Sequence, residues 1–411
     1  MGERSGAAME QLNTTVAGIV AHVDTGKTTL AESLLYLTGE TRRLGRVDHK
    51  DAFLDTHALE KDRGITIFSK QAQLKLQQRN LTLLDTPGHV DFSAEMERTL
   101  SVLDYAILVI SVADGVSGHV QTLWRLLKQY RIPVFLFINK MDQQGADAEA
   151  ALAELQKRLD ERCVAFHGAG ILGPDTENVF YEKLAETDEL LLEQFLESGR
   201  IQEETIRSQI AERKLFPCYF GSALKVEGVQ EFLEGFERYT KIKSYGTEFG
   251  ARVFKIARDH QGKRLTYLKV TGGVLRSKQM ILEEKTDQLR IYNGAGFVPV
   301  NEVRAGMVCA VTGLTKTVAG QGLGRETDVV APVLEPVLTY CIRFDPEIDV
   351  HEMYRRLQAI EEEEPQLHLV WQEDTGDIHA QVMGEVQVEI LQSLIRERFG
   401  VEAAFTSGSI I

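Results

Sequence analysis

The sequence predicts an α/β domain with a phosphate-binding loop, followed by an all-β barrel and a small α+β, ferredoxin-like sandwich. Three observations carry that expectation. Strand-like apolar runs alternate with helical patterns from residue 15 to about 239, as in a parallel sheet covered on both faces. From Phe249 the pattern becomes short strands split by Gly-rich turns such as Thr271-Gly272-Gly273, the mark of a closed barrel. From Pro332 the order is strand, helix, two strands, helix, strand, which suits a two-layer sandwich. The expected domains are residues 1–240, 241–331 and 332–411, with a short polar linker at 241–248.

In the first domain, residues 15–20 form an apolar run that reads as a buried strand, and residues 30–37 carry a helical pattern. Between them stands Ala21-His22-Val23-Asp24-Thr25-Gly26-Lys27-Thr28, with Thr29 next. A strand-to-helix turn aims backbone N–H groups and a helix N-terminus at one point, which suits a phosphate. Gly26 lets the backbone approach closely. Lys27 would reach the β- and γ-phosphates, and the Thr28 hydroxyl would hold Mg2+. The generic loop begins with glycine, whereas this chain has Ala21; a methyl group is tolerable there with ordinary dihedrals.

Asn139-Lys140-Met141-Asp142 follows the apolar run 134–138, fit for a central parallel strand. A carboxylate at Asp142 can accept from the N1–H and exocyclic amine of guanine. Adenine offers no matching pair of donors, so the expected ligands are GTP and GDP. Ser222-Ala223-Leu224, after the apolar run 216–220, would close over the base through backbone contacts. Asp85 ends the strand 81–84 and would hold Mg2+ through a water. Gly88, in Asp85-Thr86-Pro87-Gly88-His89, would sense the γ-phosphate with its N–H and so tell triphosphate from diphosphate. Thr66, in Arg63-Gly64-Ile65-Thr66-Ile67 after a polar stretch at 42–62 expected to be flexible, is the natural second Mg2+ hydroxyl. His89 falls beside the place of the attacking water and is expected to position it.

Further elements follow the same periodicities. Residues 148–159 and 188–209 read as amphipathic helices, and 253–256, 265–270 and 308–311 as barrel strands. The third unit reads as strand 338–344, helix 348–360, strands 367–372 and 378–382, helix 385–399 and strand 401–405.

Composition bounds the rest. The chain has 411 residues, 43% hydrophobic and 26% charged, enough for about two to four ordinary domains. Four scattered cysteines (Cys163, Cys218, Cys309, Cys341) show no metal-ligand spacing. Neither a disulfide framework nor a zinc site is therefore expected, and a reducing cytoplasm fits. No stretch is long and apolar enough to cross a bilayer, and no secretory core precedes it. Residues 1–8 look like an untidy leader, with Met9 as an alternative start. The net charge of −15 argues against indiscriminate nucleic-acid binding, so DNA is not an expected partner. Residues 331–411 hold sixteen acidic against five basic residues, densest at Glu361-Glu362-Glu363-Glu364. That run reads as a solvated helix end before Pro365. Any RNA contact must then come from local basic spots. No repeat stands out, and a monomer is expected.

The ordered set of four motifs resembles the translational GTPases, covering the first third of the chain well. That makes the first domain an α/β P-loop GTPase domain, and Ala21 is usual in the elongation factor G branch. Residues 101–108 (Ser-Val-Leu-Asp-Tyr-Ala-Ile-Leu), 137–143 (Phe-Ile-Asn-Lys-Met-Asp-Gln) and 384–389 (Gly-Glu-Val-Gln-Val-Glu) are more similar to the tetracycline-resistance ribosomal protection proteins. So is the stretch from Val253 to Leu275. The short span 163–219 leaves no room for the large insertion usual in elongation factor G. The resemblance implies that Lys27, Thr28, Thr66 and Asp85 serve nucleotide and Mg2+, and that Asp24 stands near a monovalent cation or stabilises backbone. It implies that Val23 and Ile65 are the apolar pair flanking the catalytic His89. It further implies a ribosomal partner: large-subunit RNA of the factor-binding site, with ribosomal proteins, would orient His89 only on docking. Both relatives continue with two further domains, so the chain is expected to be a fragment. Its nucleotide chemistry should survive while drug release or translocation should not.

Other readings remain open on the residues alone. One is an elongation factor G-like translation factor without a resistance role. Another is a GTP-dependent binding module without catalysis. A metabolic P-loop enzyme fits less well, since no small-molecule pocket is evident.

Overall fold

The computed structural model describes residues 14–45, 52–54, 60, 66–67, 69–166, 176–328 and 332–407. The leader with Met9, most of the 42–62 stretch, Arg63-Gly64-Ile65 and Ile411 lie outside the described residues.

The first seven strands are β1 (Thr14–Ala21), β2 (Lys70–Lys75), β3 (Asn80–Asp85), β4 (Tyr105–Ser111), β5 (Val134–Asn139), β6 (Cys163–Ala165) and β7 (Phe216–Phe220). They form one sheet in the order β2-β3-β1-β4-β5-β7-β6. All pairings but one are parallel; the edge strand β2 runs antiparallel to β3. The expected all-parallel sheet is thus mixed. The turn between β2 and β3, closed by Leu76 N–H donating to Arg79 O at 2.9 Å, is far too short for a parallel crossover.

Alternation along the central strands divides the core in two. Phe135 and Phe137 face Leu34, Phe232 and Phe236, while Leu136 and Ile138 face Leu123, Trp124 and Met96. The carboxyl ends of β1, β3, β4 and β5 lie side by side, with Ile19 opposite Asp85 and Ser111 opposite Asn139. Ligands of open α/β sheets bind at such an edge. The expected helix at 188–209 is two helices, Glu189–Ser198 and Glu203–Ala211. Gly199 ends the first in the left-handed conformation (φ 68), a C-terminal stop that only glycine adopts at low cost. A helix at Thr176–Ala185 was missed by the periodicity.

The second unit is all-β. Strands Gly296–Val300, Leu289–Asn293, Val308–Val311, Arg264–Gly272, Gly250–Arg258 and Gly322–Gly324 form an antiparallel sheet in that order. Its outer strands do not pair with each other in this sheet, so the expected closure is not one of hydrogen bonds. A separate ladder, Val274–Arg276 with Glu302–Arg304, supplies Leu275 and Val303 to the same core as Val253, Leu268 and Leu289. Side-chain packing thereby completes the wall.

The third unit is a four-stranded antiparallel sheet, Val370–Gln372, Asp377–Val382, Leu338–Arg343 and Ala404–Ser407 in order, with helices Val350–Glu363 and Glu385–Phe399. Ile342, Ile378, Ala380 and Val382 pack with the helices' Leu357, Ile360 and Leu391. The expected strand 367–372 is shortened because Pro365–Leu367 turns as a 3-10 helix.

Ion pairs join the units. Lys269 and Asp104 meet at 2.7 Å, both nearly inaccessible, and Lys255 reaches Glu95 at 2.8 Å. The Glu361–364 run is a correction to the sequence reading, since it is not left to solvent. Glu364 clasps Arg98 of the first domain through two bonds of 3.0 and 3.1 Å. Glu362 takes Arg258 and Arg264 of the barrel, Glu363 takes Arg398, and Glu361 accepts the Leu369 N–H. Bidentate guanidinium–carboxylate pairs hold orientation as well as charge. Among the described residues, no helix is long and apolar enough to cross a membrane.

Candidate functional site

The loop between β1 and helix α1 (Lys27–Leu37) is shaped by two left-handed residues, Asp24 (φ 58) and Gly26 (φ 90). Gly26 is required twice over. Its dihedral disfavours a side chain, and a Cβ there would collide with the amide nitrogen of Asn139. That amide donates to Thr25 O at 2.8 Å, while its oxygen accepts from Ala223 N at 2.8 Å. Asn139 therefore ties the phosphate loop to the 222–224 segment. Ser33 strengthens the tie by donating to Ala223 O at 2.6 Å, and Thr25 donates to His22 O at 2.9 Å.

At the N-terminus of α1 four side chains converge. Lys27 Nζ pairs with the Asp85 carboxylate and donates to Thr66 Oγ1 at 3.0 Å. Thr28 Oγ1 lies 3.3 Å from Thr66 Oγ1, which is 3.5 Å from Asp85 Oδ2. Lys27 is 7% exposed and Asp85 fully buried. A buried carboxylate must be matched by a cation, and here an ammonium sits among two hydroxyls and that carboxylate. A set of hard oxygen donors around one positive centre fits Mg2+, so Thr28, Thr66 and Asp85 are the residues that would hold it.

Beyond β3, Thr86 donates to Ile19 O at 2.7 Å, drawing the following turn against β1. A Cβ on Gly88 would lie 3.1 Å from Ala21 O, so glycine lets that turn press close to the loop. His89 caps a short 3-10 helix (Val90–Phe92), its Nδ1 accepting from Asp91 N at 3.2 Å. The same Nδ1 lies 3.4 Å from Asp91 Oδ1, so this side of the ring is turned to Asp91 and Nε2 is the nitrogen on the opposite side. Val23 is half-buried in the loop. Ile65, expected to flank His89 with it, lies outside the described residues.

At the base end, Lys140 adopts φ 65, turning the chain so that Met141 N–H donates to Gly221 O at 3.1 Å. Ser222 hydrogen-bonds the Asp142 carboxyl and Lys225 stands 3.6 Å away; together they hold it below the usual carboxylate range. Asp142 is thus ready as an anionic acceptor. Leu224 is half exposed and Thr29 partly buried at the rim.

Two features escaped the sequence reading. His22 Nδ1 and His119 Nδ1 are 2.9 Å apart, sharing one proton. Burial first, then His22 and His89, push His119 down to about 4. The folded chain thus resists the proton that the unfolded chain takes up below about pH 6.5, so stability should fall as pH drops from there toward 4. His119→Gln is expected to recover roughly 1–2 kcal/mol of that loss, read as thermal midpoint against pH.

The second is Asp91. Its Oδ2 accepts from Val386 N at 2.9 Å and Gln387 N at 3.2 Å, capping a third-domain helix from the first domain. A Cβ at Gly384 would collide with that carboxylate. Gly384→Ala and Asp91→Ala are each expected to cost about 0.5–2 kcal/mol, the usual worth of an N-cap, measured by denaturant melts. No short-range pattern marks this contact, because it joins residues almost 300 positions apart.

Comparison with known proteins places the chain. The Elongation factor Tu GTP binding domain family matches residues 13–241, and Elongation Factor G, domain III matches residues 333–407. Over 95% of its length the chain is 30% identical to the tetracycline resistance protein TetP of Clostridium perfringens, spanning 64% of that protein. It is 32% identical to the oxytetracycline resistance protein of Streptomyces rimosus over 97% of its length, spanning 65% of that relative. Elongation factor G of Mycoplasma pneumoniae is 30% identical over 94% of the chain, which spans 66% of it. The chain thus covers just under two thirds of these relatives. A crystal structure from Thermus thermophilus shares the fold with a TM-score of 0.83 at 23% identity, over 97% of this chain and 68% of that one. With its elongation factor Tu-type GTP-binding domain and elongation factor G-type third domain, the chain belongs to the translational GTPase family.

Proposed function

We propose that the protein is a ribosome-dependent GTPase of the ribosomal protection type, binding GTP with Mg2+ and hydrolysing it when docked on a ribosome. The observation that carries this reading is the convergence of Lys27, Thr28, Thr66 and Asp85 at one helix N-terminus, beside Gly88 and His89. In this account Lys27 leaves Asp85 for the β- and γ-phosphates as nucleotide enters. Thr28, Thr66 and Asp85 would then hold Mg2+, which would supply positive charge to the phosphate oxygens. Loop N–H groups from Asp24 to Thr29, with His22 beside them, cradle the phosphates, and a monovalent cation near Asp24 would add to them. Asp142 reads guanine, with Asn139 and Lys140 shaping its loop and Ser222, Ala223 and Leu224 closing over the base.

His89, donating from Nε2, orients the attacking water and does not abstract its proton. Val23 and Ile65 would shield that ring. The proposed partners are large-subunit RNA at the factor-binding site and ribosomal proteins, met by a cytoplasmic monomer. Domain limits at 240 and 331 are part of the same reading. The test is phosphate release from GTP with and without ribosomes. Strong acceleration is expected; binding of GTP without accelerated release would leave a GTP-dependent binding module.

One observation favours a second reading: elongation factor G of Mycoplasma pneumoniae is as similar as TetP, at 30% identity. A translation factor without a resistance role would have the same nucleotide site. Expression of the full-length gene in a tetracycline-sensitive host separates the two, since only a protection-type protein raises the tolerated drug concentration.

A further inference from the structure

We infer that the face of the third-domain sheet turned away from its helices binds a divalent transition metal of the zinc class, through the Cys341 thiolate, the His379 imidazole and the Asp377 carboxylate. Cys341 and His379 are direct cross-strand partners in the antiparallel ladder of Leu338–Arg343 with Asp377–Val382. Asp377 lies two residues from His379 on the same strand, so all three side chains leave the same face. Their neighbours Ile342, Ile378 and Ala380 take the other face, toward the helices.

One ligand atom from each of the three lies within 4.8 Å of the other two. Among the described residues this is the one such grouping of histidine, cysteine and acidic side chains. Both ring nitrogens of His379 are buried and lack a hydrogen-bond partner among the described residues. A buried polar group left unpaired is destabilising, and ligation through one nitrogen relieves part of that. Sulfur, nitrogen and carboxylate oxygen with a position left for water is a zinc-type donor set. Cys341 gives its thiol proton to solvent on ligation.

The sequence reading excluded zinc on spacing along the chain. That criterion fails here, because strand pairing brings residues 341 and 379 together without a short motif. One charge opposes the metal. Arg343 Nε lies 3.9 Å from Asp377 Oδ1, on a side chain 63% exposed. Exposed pairs of this kind are only weakly held, so the guanidinium can swing into solvent.

Cobalt(II) titrated into the reduced, untagged full chain tests the site. One equivalent is expected to raise a thiolate-to-cobalt charge-transfer band that Zn2+ abolishes by displacement. Cobalt at the oxygen-donor set of Thr28, Thr66 and Asp85 gives no such band, and among the described residues only Cys341 of the four cysteines is grouped with a histidine and a carboxylate. Cys341→Ser should abolish the band, and His379→Ala and Asp377→Asn should weaken binding at least about tenfold. Arg343→Ala should tighten it, an effect no purely structural role would give. Circular dichroism and GDP binding check that each variant is folded. A folded wild-type chain without the band, or an undiminished band in Cys341→Ser, overturns the proposal. Should His379→Ala fail to fold, unchanged affinity in both Asp377→Asn and Arg343→Ala does so equally.

Discussion

Replacing His89 by alanine is expected to lower ribosome-stimulated phosphate release by roughly a hundred- to ten-thousand-fold, the range for a positioned group acting on a transferred proton or its water. GDP affinity should stay within a few-fold of wild type, because the ring's described contacts are with Asp91 and Phe92 and not with the phosphate loop. The split between binding and turnover is the informative part. A side chain that only braced the fold would lose both together, since the turn carrying Gly88 would move. His89→Gln offers a sharper version. Glutamine keeps a donor near the Nε2 position, so it should retain more activity than alanine if the ring orients water. If Nε2 instead removes a proton, the amide should be no better than alanine. Phosphate release under single-turnover conditions, with nucleotide affinity measured separately, reads both outcomes.

The second large effect is expected at Asp142. Its carboxylate, kept anionic by Ser222 and Lys225, is to accept two hydrogen bonds from guanine. Bonds to a charged acceptor contribute about 1.5–3 kcal/mol each. Losing the charge in Asp142→Asn should therefore weaken GDP by about a hundred- to ten-thousand-fold. The same substitution turns an acceptor into a donor. Xanthine, which has a carbonyl where guanine has its exocyclic amine, should then bind the variant better than guanine does. Fluorescent-nucleotide competition measures this inversion. Equal losses for both bases would mean that Asp142 matters to the loop and not to the base.

How much of this was legible depended on the range of each interaction. The sheet strands were readable because each is a continuous apolar run between glycine, proline and polar breaks, as at Val134–Asn139 and Phe216–Phe220. The phosphate loop was readable because its chemistry lies in consecutive residues. Lys70–Lys75 was missed: it is a half-polar edge strand, bonded to the barrel by the Gln71 side chain on Tyr292 O and by the Gln73 backbone N–H on Asn293 Oδ1. Asn139 was read only as part of the nucleotide-binding run at 139–142, and the long-range tie its amide makes between Thr25 and Ala223 was not legible. The glutamate run at 361–364 looked like a solvated terminus only because its arginines, Arg98, Arg258, Arg264 and Arg398, are remote in sequence. Charge runs are solvated when nothing meets them; the chain alone does not tell what will.

These contacts also suggest how the nucleotide site reaches the rest of the molecule. The turn bearing Gly88 and His89 continues into Asp91, which caps the helix Glu385–Phe399. Helix Ser93–Leu100 then presents Glu95 to the barrel's Lys255 and Arg98 to Glu364 of the third unit. One short segment after Gly88 therefore grips both following domains. A shift in that turn would be felt by each through charge-assisted bonds.

The most direct measurement is a calorimetric titration of the nucleotide-free chain with GDP and with ADP in the presence of Mg2+. One equivalent of GDP should bind, with ADP at least about a hundredfold weaker, the discrimination expected when an acceptor that the base covers is left unpaired. Equal affinity for the two, or no binding of either by a folded chain, would contradict a guanine pocket built on Asp142 and the loop at Lys27.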